Sequence, residues 1–288
     1  MTVVALGLVL SSGLAHAGWN YLLRTSGDKL VFSWCFTALA SVLYLPLAAF
    51  FAIRSPVPPS GWAFILGTMA LHILYFQFLN RAYTHGDLSL AYPVARGTGV
   101  ALIPLGGVLL LGEQVSLPAV AAIAVILAGV LLVHTRGIRR RALHTIGAAL
   151  EKGTVYAFAT GLTIAAYSLL DKRALSVVPP PVLNYAIFLA QAMVVSPVAL
   201  RRREALRREI AERKGAIVAA AVLSPLAYLL VLAALTFSRV SYVAPAREIG
   251  IVVGALMGTF LLREPYGASR LLGSALITTG VITLALAP

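Results

Sequence analysis

Ten runs of about 20 mostly apolar residues follow one another along the chain, at 3–23, 30–53, 61–82, 88–111, 117–134, 153–174, 180–200, 215–236, 241–262 and 268–287. A helix needs about 20 such residues to cross the hydrocarbon core of a bilayer. In lipid each backbone N–H and C=O must find its partner inside the segment, so runs of this length are helices. Only 11% of the residues are charged, against roughly a quarter in a soluble domain. The expected fold is an all-α membrane protein of ten transmembrane helices, with no room for a soluble domain. The first run has a small-residue pattern at Ala15-His16-Ala17 that resembles a cleavage site. It has no basic residue ahead of it, however, and is read as a retained helix. The lone Cys35 lies within the second run, so it has no internal disulfide partner and is read as a packing residue.

The chain also repeats itself. Pro93-Val-Ala-Arg96 opens a Gly-containing apolar run that ends at Leu-Leu-Leu-Gly-Glu113, followed by a second run reaching Gly129. Pro245-Ala-Arg247 opens the same order, through Phe-Leu-Leu-Arg-Glu264 to Gly280. Residues 13–20 lie over 161–168 in the same way, and Pro46 over Pro197. The expected organisation is a first five-helix repeat at 1–134, a basic connecting loop at 135–152 and a second five-helix repeat at 153–288. An odd number of helices per repeat sends the second copy across the membrane in the opposite sense. Inverted repeats of this kind are a transporter device, with the solute held between the halves near the midplane.

The +13 net charge is read first as a topology signal. Arg136, Arg139, Arg140, Arg141 and Lys152 occupy one loop. Arg201, Arg202, Arg203, Arg207, Arg208, Arg213 and Lys214 occupy another. Both loops follow odd-numbered helices and so share a side, which the positive-inside rule makes cytoplasmic. Both termini are then expected outside. Anionic lipid headgroups are the nearer partner for these loops, and no nucleic-acid partner is expected. Glu204/Arg208 and Glu209/Arg213, spaced i,i+4, fit a short surface helix in the second loop.

The repeated order of Pro-[VA]-[AR], a Leu-Leu-x-Glu end and a later glycine resembles the EamA-type branch of the drug/metabolite transporter superfamily. The resemblance covers essentially the whole chain. It is greatest toward bacterial YddG-type amino-acid exporters. It implies a secondary transporter of small organic solutes in the bacterial inner membrane, with amino acids, including aromatic ones, as the expected cargo. A facilitator, or a multidrug-type exporter of other metabolites, is the alternative it leaves open. No cofactor or metal is implied, and a monomer is the working expectation.

Polar groups at membrane depth are costly and mark function. Arg96 and Arg247 are candidates to hold a substrate carboxylate, or else to tie helices together. Glu248 reads as their counter-charge or as a proton site. Trp19 and Asn20 share a face of the first run with His16. His72, Tyr75 and Tyr83 run down the third; Tyr167 and Ser168 occupy the sixth; Tyr92, Tyr228 and Tyr242 lie in the fourth, eighth and ninth. All but His16 and Tyr242 belong to the expected substrate-binding set, whose rings and hydroxyls suit an amphipathic solute. The other acids, Asp171 and Glu209 among them, are read as loop or helix-end residues, and Glu113 and Glu264 as braces for the helices that follow. Flux is therefore expected to depend weakly on a proton gradient. The glycines Gly250, Gly254 and Gly258 share one helix face and are read as a close-packing seam. An enzyme is not supported: there is no paired carboxylate, metal cluster or activated nucleophile in sequence.

Overall fold

The computed structural model describes residues 1–86, 88–133, 152–262 and 267–288, and these fold into helices without a strand. In chain order the helices are α1 (Val3–Arg24), α2 (Lys29–Leu43), α3 (Leu45–Arg54), α4 (Pro59–His85), α5 (Leu88–Leu111) and α6 (Leu117–Val133). The second half adds α7 (Lys152–Ala174), α8 (Pro180–Ala199), α9 (Arg203–Phe237), α10 (Val240–Ala246), α11 (Ile249–Leu262) and α12 (Ala268–Leu286). Local chemistry sets several starts. The Thr2 hydroxyl accepts the Ala5 N–H at 3.2 Å, and the Asp28 carboxylate accepts the N–H groups of Leu30 and Val31, both standard N-caps.

Each apolar run of the sequence has its helix. Eight segments are long and apolar enough to cross a membrane, and the α2–α3 pair, bent by 42°, makes a ninth. α6, with 17 residues, is shorter. Two runs are not the continuous helices expected. The second bends at Tyr44, just before Pro46. The ninth breaks into α10 and α11, leaving Arg247 and Glu248 between them. Pro245 has no N–H to give the Ser241 carbonyl, and its ring crowds that turn. The chain resumes through three-residue turns, Glu248 N–H to Pro245 O at 3.0 Å and Ile251 N–H to Glu248 O at 2.9 Å. α5 contains Pro93 and Pro104 yet stays continuous, so the two arginines sit on different backbones.

The expected surface helix also differs in detail. α9 is interrupted at Arg213 (φ −132°, ψ 22°), which separates residues 203–212 from the apolar run. The exposed pair there is Arg208–Glu212, at 3.2 Å. Glu209 is instead buried and accepts the Asp28 backbone N–H at 2.6 Å.

Helices from the first half pack mainly on helices from the second: α6 on α12, α4 and α5 on α7, α1 on α9 and α11, α2 on α8 and α9. Glycines permit the closest of these approaches. A Cβ at Gly129 would lie 2.8 Å from the Gly273 carbonyl oxygen, and one at Gly280 would lie 3.0 Å from that of Ala122. The stripe on α11 behaves otherwise. Gly250 meets Gly13, but Gly254 has nothing within 4 Å, so the expected seam is not packed along its whole length. We expect Gly129→Ala to cost about 1–3 kcal/mol by overpacking. A thermal melt of the purified protein reads this as a lowered midpoint, with Gly7→Ala, where nothing lies within 4 Å, as the unaffected control.

Glu113 does brace a helix start, but a different one from that expected. Gly112, at φ +67°, turns the chain after α5. The Glu113 carboxylate then accepts the Val240 N–H at 2.7 Å, the Ser241 N–H at 2.9 Å and the Ser241 hydroxyl at 2.6 Å. It holds the N-terminus of α10 in the other half, not α6. Every residue of α10 is buried. Glu264, Asp87, Glu151, Tyr266, Arg136, Arg139, Arg140 and Arg141 lie outside the described residues.

Candidate functional site

The break between α10 and α11 places two opposite charges side by side in the bundle. Glu248, with 4% of its side chain exposed, meets Arg96 of α5. The guanidinium donates from Nη2 to Oε1 at 2.5 Å and from Nε to Oε2 at 3.2 Å. This is the two-pronged geometry that suits arginine and carboxylate. The counter-charge reading of Glu248 therefore has a definite partner, and it lies across the halves.

Arg247 has no such partner. Among the described residues its side chain makes no ion pair and no hydrogen bond; the guanidinium lies over the Tyr228 ring, 5.5 Å from the centroid. It lines two small cavities at once. One is shared with Arg96, Gly99, Ile164 and Glu248, the other with Ser168, Tyr228 and Val243. The Ser168 hydroxyl in the second cavity is buried without a hydrogen-bond partner. A free cation and an unsatisfied hydroxyl at one place are what a polar ligand group would complete.

Aromatic rings surround this point. His72 of α4 stacks at 4.1 Å on Tyr167 of α7 and meets Tyr228 of α9 at 5.5 Å. Tyr75 lies edge-on to Tyr167 at 6.0 Å, and Tyr167 to Tyr228 at 6.5 Å. Helix spacing explains the set: His72 and Tyr75 are three apart on α4, so they share a face. Tyr83 and Tyr92 lie within electrostatic reach of Arg96. His16 is exposed yet lies within reach of both Arg96 and Arg247, so the surface it shows faces a crevice inside the bundle. Tyr83, 37% exposed, lies in the last turn of α4. The end opposite residues 200–214 is the one closed by buried α10 and Glu113.

Two expected residues fall elsewhere. Trp19 turns toward Phe36 of α2, at 5.8 Å, and packs with Val31 and Phe32. Asn20 spends its side-chain N–H on the His16 carbonyl of its own helix, at 2.8 Å. Both sit beside His16 on α1. Tyr242 takes no part either: its hydroxyl donates to the Pro288 carbonyl at 2.7 Å.

One further acid lies beside this cluster without lining either cavity. Asp171, near the end of α7, is fully buried. One carboxyl oxygen accepts from the Thr68 hydroxyl and the other from the Tyr228 hydroxyl. In sequence it stands at a helix end, followed directly by Lys172 and Arg173. In the fold Lys172 snorkels to the carbonyls of Leu235 and Ser238, at 2.7 and 2.8 Å, while Asp171 points inward. A signal was present: Tyr167, Ser168 and Asp171 lie on one face at three- and four-residue spacing. Its burial also removes the ground for expecting weak dependence on protons.

Comparison with known proteins bears on the class. Residues 151–286 match the EamA-like transporter family. Residues 32–126 match the Small Multidrug Resistance protein family. Nothing among curated proteins matches. A solved structure titled "Crystal structure of protein" superposes with a TM-score of 0.74 over 98% of this chain and 97% of its own, at 17% identity. At that identity the likeness concerns the fold alone. The apolar helices and the family matches support a multi-pass membrane transporter of small solutes. Its second half is similar to the EamA-like transporter family, and the two matches together support the drug/metabolite transporter superfamily.

Proposed function

We propose that the protein is a ten-span secondary transporter that exports amino acids, aromatic ones included, by alternating access between inverted repeats at 1–134 and 153–288. It would work in a bacterial inner membrane, with loops 135–152 and 201–214 in the cytoplasm. The observation that carries this reading is Arg247. Among the described residues it is a cation without an ion partner at a helix break, beside an unsatisfied Ser168 hydroxyl and a cluster of aromatic rings. A carboxylate takes the guanidinium, and an aromatic side chain takes the faces of Tyr75, His72, Tyr167 and Tyr228. Broken helices with ligand-facing ends near the midplane are a recurring transporter arrangement.

The buried α10 and the Glu113 brace close the end opposite the basic loops, which suits a form that receives solute from the cytoplasm. The cavities on either side of Arg247 are small, so loading requires the surrounding helices to part. Proteoliposomes preloaded with phenylalanine test the reading. The expected result is saturable, protein-dependent exchange with external labelled phenylalanine. Flux that stays linear in concentration, or none for any amino acid tried, would sink the amino-acid carrier.

A further inference from the structure

Asp171 is a fully buried ionisable group that solute binding at Arg247 does not use directly. It sits among four elements. α4 presents Thr68, which holds one oxygen, and His72. α9 presents Tyr228, which holds the other. The α10–α11 break presents Arg247, stacked on that same Tyr228 ring. α5 carries Tyr92 and Arg96 as its titratable groups, and Arg96 is tied to Glu248. On its own helix Tyr167 stacks on His72, and Lys172 is tied to backbone carbonyls. Asp171 therefore touches two neutral hydroxyls and, among the described residues, makes no ion pair.

An isolated charge buried in this way is costly, and such a group is stable either neutral or with a cation brought to it. Hydroxyls can donate or accept, so Thr68 and Tyr228 can serve either form. The nearby unpaired cation is Arg247, one aromatic ring away. We propose that Asp171 is a proton-binding site linked to the solute site through Arg247. With the site empty, Arg247 turns to an ionised Asp171. When a solute carboxylate engages Arg247, Asp171 is left without a cation and takes up a proton. Solute and proton then bind together and cross in the same direction. Linkage is reciprocal, so lower pH favours solute binding by the same factor that solute favours protonation. Export runs on the solute's own outward gradient and carries a proton with it.

This inference rests on the carboxylate reading of Arg247, and the test separates the two. First, pH-difference infrared spectra of the purified protein in lipid report a protonated buried carboxyl without any solute. The expected band appears in the wild type as the pH is lowered, with no solute present, and is absent in Asp171→Asn. No band, or a band that survives in Asp171→Asn, overturns the site whatever the cargo. Second, wild-type proteoliposomes with equal phenylalanine on both sides and an imposed pH gradient are expected to move it uphill with the proton flow. Asp171→Asn should keep phenylalanine exchange and lose that drive. Uphill movement against the proton flow, or drive retained in the variant, overturns the linkage. Absence of any phenylalanine exchange by the wild type overturns the amino-acid reading, while the infrared band still decides Asp171.

Discussion

Arg247→Ala is expected to abolish most transport while leaving the folded yield unchanged. Its guanidinium makes no ion pair or hydrogen bond among the described residues, and its stacking on Tyr228 is worth about 0.5–2 kcal/mol in such sites. Little of the fold depends on it. A charged hydrogen bond to a substrate carboxylate contributes about 1.5–3 kcal/mol. Removing it should therefore raise the half-saturating phenylalanine concentration by about ten- to a hundredfold. Arg247→Lys keeps the charge but loses the fork, and should recover only part of the effect. Size-exclusion profiles and flux measured on the same preparations check both halves of the statement. Loss of yield in step with flux would mean that Arg247 is a packing residue.

Arg96 should respond in the opposite way. Its pair with Glu248 is largely withdrawn from water, and removing one partner strands the other. Breaking a buried pair costs about 3–5 kcal/mol. Arg96→Met and Glu248→Gln singly should each lower the thermal midpoint and the yield. The double variant, in which neither charge is left alone, should recover much of the loss. A purely additive double variant would show that the two groups do not act as a pair. The structure thus gives different work to two arginines that the repeat makes look alike. The backbone difference accounts for it: α5 continues through Arg96, whereas the chain breaks at Arg247–Glu248 and turns one charge to each side.

Much of the fold was legible because membrane insertion depends on local composition. Every apolar run became a helix, and the charged loop ahead of the eighth span folded as a separate short helix up to Arg213. The polar faces were legible in part. His72, Tyr75, Tyr167, Ser168 and Tyr228 do converge, because residues three or four apart share a helix face whatever the tertiary context. Trp19 and Asn20 did not join them. Which face of α1 looks at the site depends on how α1 rotates against α9 and α11, and each residue turns a helix by about 100°. Asp171 was lost for a similar reason. Hydropathy averages over a window, and Lys172 and Arg173 beside it masked a carboxylate that faces inward.

The sequence alone determined the quantities that each segment carries by itself: how many apolar runs there are, which polar groups lie within them, and that two stretches share one order of residues. Only the tertiary structure decided which charges meet. Arg96 finds Glu248 152 positions away, Glu113 caps a helix in the other half, and Arg247 is left facing Tyr228 and the neighbourhood of Asp171. Each pairing depends on helix rotation and on the break after Pro245. No local pattern encodes these, because they are set by packing between helices far apart in the chain.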